Sequence, residues 1–368
     1  MPADDIPRLV SGNAGLPTAT NQKNIPNTLQ PNRRRARNAP SPYAISWKGT
    51  NVTIHTYRGV HLAAPKQDYA QVWLLGTGSP SLQACRHGIS TLMRFGERYF
   101  LFDIGRATLQ RMYECAVPIP EVDRVFITHL HSDHICGMPD FWMTGWFVLR
   151  RSRPLKVHGP AGTERFVAGV KEMHHFDLDI RPKYETAAIE GCQFVTHEFE
   201  EGVVYDEDGV TVTAFLVDHG PAQPAYGFRV EGGGVSIVLS GDTTYSPNLV
   251  RHTRGCDLLI HAIAAASETQ LAENEITRRL ILNHTTPEQL ARVCEEAAPR
   301  MTVLHHVSLW RVTEYDILSR VRAHTHQAVE MGQDRMEVLV SPQEIRIFPS
   351  YVPLTGQDMI TSDAGGTL

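Results

Sequence analysis

Apolar positions along the chain form short runs and alternations, each closed by Gly, Pro, Asp or His, which is how strands ending in loops look in a sequence. Gln71-Val72-Trp73-Leu74-Leu75 runs into the Gly-rich turn Gly76-Thr77-Gly78-Ser79-Pro80. Ser90 to Phe95 and Tyr99 to Phe102 predict a hairpin about Gly96-Glu97 that closes on Asp103-Ile104-Gly105. Arg124-Val125-Phe126-Ile127 reads as a buried strand, and the apolar segment from Ile135 to Leu149 as a helix. Leu155 to Pro160 is a strand and turn, and Thr163 to Met173 a helix with Thr163 as its N-cap. Further strands are expected at Glu201 to Tyr205, Val210 to Phe215, Val235 to Leu239, Asp257 to Ile260 (ending at His261) and Met301 to Leu304 (ending at His305-His306). Thr286 and Pro287 suit the cap and first turn of a helix through Glu296. Glu337 to Leu339 and Ile345 to Phe348 read as edge strands. Strands, helix, strands, helix in that order imply an α/β protein of two mixed sheets flanked by helices.

The ends follow a different pattern. Residues 1–42 are rich in Pro, Asn, Thr, Gly and Arg without periodicity, as in a disordered or extended arm, and 351–368 read as a loose tail. Alternation begins with Ile45, Trp47, Val52, Ile54 and Tyr57, so 43–68 is expected to hold a hairpin that adds to a sheet edge or to a dimer contact. Residues 69–350 form the main domain.

Composition narrows the class. The chain has 368 residues, 42% hydrophobic and 20% charged, as in ordinary globular proteins. No apolar run reaches the ~20 residues a membrane span needs, and the start lacks the basic and apolar segments of a secretory leader, so a cytoplasmic protein is expected. Net charge is −5, but six basic residues against Asp4 and Asp5 give 1–42 a balance of +4, leaving −9 elsewhere. An acidic body is a poor surface for phosphate backbones. The Arg33-Arg34-Arg35 cluster could touch RNA or an acidic partner; a solvated tail is the plainer reading. Six scattered cysteines, with no Cys-x-x-Cys pair, are expected to be buried and reduced, although Cys136 lies close to the chemistry described next.

That chemistry sits in Thr128-His129-Leu130-His131-Ser132-Asp133-His134, between the strand at 124–127 and the apolar segment after it. Imidazoles and a carboxylate at this spacing suit zinc, manganese or iron, and the run has donors enough for two ions. Gly76-Thr77-Gly78 is not a nucleotide loop, because no Gly-Lys follows at the required spacing. Trp142, Trp146 and Phe147 either wall a pocket or dimer contact, or form a buried helix face.

The His-x-His-x-Asp-His run and the strand ends around it resemble the metallo-β-lactamase superfamily, nearest its ribonuclease Z-like and arylsulfatase-like hydrolases, over Tyr69 to Pro349. The resemblance implies the αββα sandwich of that superfamily and assigns ligands residue by residue. His129, His131 and His219 would hold one divalent ion, Asp133, His134 and His306 a second, with Asp242 between them; zinc is foremost, with manganese or iron(II) as alternatives. Asp103 matches a structural Asp that supports the ligands, Asp133 could act as general base, and His284, in Asn283-His284-Thr285-Thr286, matches the proton donor.

Two departures bear on the substrate. Ribonuclease Z carries a basic RNA-gripping arm between the strands matching Tyr226 to Val230 and Val235 to Leu239, where this chain has only Glu231-Gly232-Gly233-Gly234. Relatives also usually place Glu after the histidine matching His261, where it orients the proton donor, and this chain has Ala262. With the acidic body, these features lead to an expected hydrolase of a small anionic ester, an aryl sulfate or phosphodiester, as a homodimer with nucleic acid an unfavoured partner. The alternatives are a ribonuclease Z-type endonuclease processing tRNA 3′ ends, a lactone hydrolase, or a non-hydrolytic metal protein on the same fold.

Overall fold

A computed structural model of the chain describes residues 43–47, 50–54, 69–184 and 188–349, so the arm at 1–42 and the tail at 351–368 lie outside the described residues. The strands are β1 (Tyr43–Trp47), β2 (Thr50–Ile54), β3 (Ala70–Gly76), β4 (Ser90–Phe95), β5 (Arg98–Phe102), β6 (Arg124–Phe126), β7 (Leu155–Gly159) and β8 (Phe194–Glu198). They continue as β9 (Gly202–Glu207), β10 (Val210–Leu216), β11 (Tyr226–Gly232), β12 (Val235–Leu239), β13 (Leu258–Ala266), β14 (Met301–Trp310), β15 (Val329–Met331), β16 (Met336–Val340) and β17 (Ile345–Phe348).

One sheet runs β1-β2-β17-β16-β3-β4-β5-β6-β7-β8 and the other β15-β14-β13-β12-β11-β10-β9. Both are mixed: β3 to β5 and β9 to β12 pair antiparallel, whereas β5 to β8 and β12 to β15 pair parallel. The alternation of the strands explains the layers. Val72 and Leu74 of β3 join Phe100, Phe102 and Phe126 against Val212, Phe228, Ile237 and Val303 between the sheets. Trp73 and Leu75, one position off, face the other way onto helices carrying Met112, Phe141, Trp142 and Val167. Leu290, Ile317 and Val321 cover the outer face of the second sheet, completing a helix-sheet-sheet-helix sandwich.

The structure corrects several expectations. The segment from Ile135 to Leu149 is not one helix but helices Ser132–Ile135 and Met138–Met143 followed by a wider turn at Thr144–Val148, because Gly137 and Pro139 interrupt the apolar run. Thr163 is the first residue of its helix rather than the cap; Glu198 of β8 reaches across to accept from the N–H groups of Gly162 and Glu164. Neither β16 nor β17 is an edge strand, since β1-β2 pairs onto β17 and β16 pairs with β3. β13 and β14 do not stop at their histidines but run on to Ala266 and Trp310. Cys85 and Cys136 are exposed and the other four cysteines buried, all as free thiols. Trp142 and Trp146 are buried among helix contacts, which settles them as core. Among the described residues, no helix is long and apolar enough to cross a membrane.

Candidate metal centre

Parallel pairing places the C-terminal ends of β6, β12, β13 and β14 along one edge of the sandwich, and the histidines and acids gather there. His129 and His131 leave the end of β6, and Asp133 and His134 lie in the first turn of the helix Ser132–Ile135, which aims both inward. Asp242 follows β12 through Gly241, whose φ of 59° and whose Cα lies so close to Tyr226 that a Cβ would sit 2.4 Å from its carbonyl oxygen; no other residue fits that turn. His306 lies inside β14 at a φ of 45°, where the pairing with β13 skips one residue. The skip is a β-bulge, and it re-aims this side chain out of the strand's alternation.

Each ring is held from behind. His134 Nδ1 donates to Asp103 Oδ2 at 2.7 Å, and Asp103 also accepts from the Thr128 main-chain N–H and hydroxyl. With its hydroxyl hydrogen spent on Asp103, Thr128 Oγ1 accepts from His129 Nδ1 at 3.0 Å. His219 Nδ1 donates to the Asn283 carbonyl at 2.9 Å, and His284 Nδ1 to the Leu280 carbonyl at 2.7 Å. The rings of His134, His129 and His219 are thereby fixed in the tautomer that leaves Nε2 as a lone-pair donor facing the centre, and His284 turns its Nε2 the same way.

The inward atoms crowd together without protons to share. His131 Nδ1 lies 2.9 Å from His129 Nε2 and 3.3 Å from His219 Nε2. Asp242 Oδ2 lies 3.1, 3.4, 3.6 and 3.8 Å from Nε2 of His306, His134, His284 and His219. Asp133 Oδ2 lies 3.2 Å from His306 Nε2, and the buried Nε2 of His134 has no hydrogen-bond partner. Unshared nitrogen lone pairs converging on carboxylate oxygens are the donor set of a divalent cation.

Electrostatics agrees. Burial would raise Asp242, but the imidazoles of His306 and His134 hold its carboxyl well below the usual range, so it is ionised. Burial, with its histidine neighbours, drives His129 well below its ordinary value and lowers His219, leaving both as neutral donors.

Four sets of donors could each hold an ion: His129, His131 and His219; Asp133, His134 and His306; His129, His134 and Asp242; and His219, Asp242 and His284. The first two are the triads read from the sequence, and Asp242 links the other two. The structure therefore brings together all eight candidate residues, Asp133 and His284 included. Asp103 stands where expected, behind His134. Sequence reading missed Thr128, whose hydroxyl links Asp103 to His129, and the carbonyls of Leu280 and Asn283. Cys136 contributes to none of the donor sets.

With this geometry in view, comparison with known proteins is specific. The Beta-lactamase superfamily domain matches residues 98–307. Ribonuclease Z of Mycobacterium sp. (strain KMS) is 34% identical over 285 residues, covering 74% of this chain and 96% of that protein. Ribonuclease Z of Mycobacterium bovis (strain BCG / Pasteur 1173P2) is 33% identical over 287 residues, covering 74% and 99%. Among solved structures, the metallo-beta-lactamase fold protein YhfI from Bacillus subtilis superposes with a TM-score of 0.59 at 18% identity, over 74% of this chain and all of that one (100%). The short form of human tRNase Z gives 0.55 at 22% identity, over 73% and 98%.

These relatives overturn the expectation of a small anionic ester as substrate with nucleic acid unfavoured, for they are ribonucleases aligned over nearly their whole length. The physical error lay in letting the net charge of the body stand for the local field. Divalent metal held by these donors would supply positive charge where a phosphate would bind, and one short hairpin does not exclude RNA contacts elsewhere.

Proposed function

Because this chain belongs to the beta-lactamase superfamily and is a metal-dependent hydrolase acting on ester bonds, we propose that its substrate is RNA and its reaction the ribonuclease Z-type hydrolysis of a phosphodiester. The observation that carries the reading is a pair of donor triads joined by Asp242, with a further imidazole, His284, facing the same oxygen. His129, His131 and His219 would hold one ion, Asp133, His134 and His306 the other, with Asp242 between; the nitrogen-rich donor set favours zinc. When bound, two such ions offset phosphate charge and lower the pKa of water toward ~7.

The chain's own residues supply the proton traffic. Asp133, whose Oδ2 lies 3.2 Å from His306 Nε2, accepts a proton from the attacking water. As the new P–O bond forms and the old one breaks, His284 gives a proton from Nε2 to the departing oxygen, which leaves as an alcohol. Burial opposes a charge on His284, but Asp242 and the Leu280 carbonyl raise its pKa above the ordinary value, as suits an acid. The two-residue turn Gly233-Gly234 between β11 and β12 leaves no arm at that position, so RNA must be gripped by another part of the chain.

The test is direct. Zinc-loaded protein is incubated with a precursor tRNA carrying a 3′ trailer and, separately, with bis-p-nitrophenyl phosphate, with His131→Ala as the blank. Endonucleolytic cleavage of the RNA, lost in the blank, is expected; turnover of the small diester with intact RNA would refute the substrate assignment. His284→Ala is expected to slow RNA cleavage by about 10²-fold or more.

A further inference from the structure

His284 stands just beyond the helix Glu275–Leu282, and its outer nitrogen is held by the main chain rather than by an acid. Leu280 O accepts from His284 Nδ1, and Asn283 O, one turn on, accepts from His219 Nδ1. Both carbonyls belong to the last turn and C-cap of one helix. Ala262, in β13 beside this segment, has no side chain that could accept a proton, while its neighbour Ala264 donates its N–H to Thr285 O and ties the strand to the residue after His284.

We propose that the C-terminal end of the helix Glu275–Leu282 is a positioning element that replaces a carboxylate in aiming the proton donor. The last carbonyls of a helix carry the negative end of its dipole, and Leu280 O, which accepts the Asn283 N–H at 3.1 Å, has a second lone pair for His284. An acceptor of that kind fixes the Nδ1–H tautomer and the direction of the ring, yet adds no full negative charge next to Asp242. The helix is anchored for the task. Asn274 caps it by accepting from Thr277 N–H at 2.9 Å, Gln270 Nε2 donates to Thr277 Oγ1 at 3.0 Å, and Arg278 donates to the Leu271 and Ala272 carbonyls. Turning the Leu280 carbonyl away would therefore misdirect His284 alone, because His219 is held by a different carbonyl, that of Asn283.

This inference rests on His284 being the proton donor, and the experiment separates the two. Ile281→Pro drives Leu280 out of the helical region and swings its carbonyl away. Glu275→Pro serves as control, because the first helical position tolerates proline and Asn274 before it is already extended, at φ −124° and ψ 106°. Rates are compared on two phosphodiesters that differ only in a p-nitrophenyl or an alkyl leaving group, and the His284 ring nitrogens are followed by 15N NMR. In Ile281→Pro, kcat for the alkyl ester is expected to fall about tenfold or more with KM unchanged, the nitrophenyl ester to change within about twofold, and the Nδ1–H hydrogen bond to disappear. Glu275→Pro should match the parent. Should Ile281→Pro not fold, Asn274→Ala, rescued by Asn274→Ser, should show the same selectivity at smaller size. Equal losses on both esters, or an unaltered Nδ1–H signal, overturn the proposal. If His284→Ala lacks leaving-group selectivity, the donor assignment fails instead, and the NMR still reports whether the helix holds the ring.

Discussion

At the scale of single residues, the centre depends on atoms that touch no ligand. Asp103 holds His134 and, through Thr128, His129, from a backbone φ of 55° that costs energy in a non-glycine residue and persists because three hydrogen bonds fix it. Asp103→Asn keeps the volume but puts an amide where His134 Nδ1 needs an acceptor. Zinc affinity, read by competition with a chromophoric chelator, is expected to weaken about 10- to 100-fold, and undiminished affinity would show the support to be dispensable. A second residue-scale effect is acid sensitivity. Burial holds His158, stacked between Phe126 and His197, down at about 3, and His261 down at about 4. In the unfolded chain both titrate near ~6.5, so below that pH the unfolded state takes up protons that the folded state refuses, and stability falls as pH falls. Each group contributes up to about 1.4 kcal/mol per pH unit inside its window. His158→Phe keeps the stack and removes one such group; urea midpoints between pH 4 and 6 should then fall less steeply, and an unchanged slope would count against the assignment. The residues that come together at the candidate centre were legible in the sequence because they occupy one compact run and a few strand ends. Leu280 and Asn283 were not, because their main-chain carbonyls are the same in every residue type.

Elements were legible where the pattern was strict. The alternation in β3, β4 and β10 and the turn at Gly233-Gly234 follow directly from side-chain period and glycine geometry. The helix Pro287–Ala297 did too, with a full capping box in which Thr286 accepts from Gln289 N–H and Gln289 returns the bond. Thr286→Ala should cost about 1 kcal/mol, seen as a lower urea midpoint with unchanged slope, and Thr286→Ser should restore it. A cost near zero would mean that burial of Leu290, Val293 and Cys294 alone sets this helix. Tertiary context hid the rest. β13 and β14 run past their histidines because they pair with each other over nine positions, and the bulge at His306 that lets the strand both continue and present a ligand leaves no mark in composition. The helices Pro247–Thr253 and Glu275–Leu282 are short, with few buried residues, and their apolar positions are too sparse to read as a periodic face.

For the whole molecule, the centre is a joint as well as a site. Its donors come from both sheets: His129, His131, Asp133 and His134 follow β6 of the first, while in the second Asp242 follows β12, His306 lies in β14 and His219 follows β10. An ion bound by both would tie the layers together at one edge. Two carboxylates, Asp133 and Asp242, are also buried there, beside the rings of His129 and His219 that burial keeps neutral. The unfolded chain, with its donors scattered from residue 129 to residue 306, binds ions weakly. Metal should therefore stabilise the fold by mass action, by about 4 kcal/mol when its free concentration is 1,000 times Kd. A protein of this size should gain several degrees in Tm on adding zinc and lose them on chelation. His131→Ala, which removes an exposed candidate ligand but no buried packing, should keep the Tm of the metal-free parent and lose most of the zinc-induced rise. If that variant gained as much from zinc as the parent, the two triads would not be the place where the metal holds the sheets together.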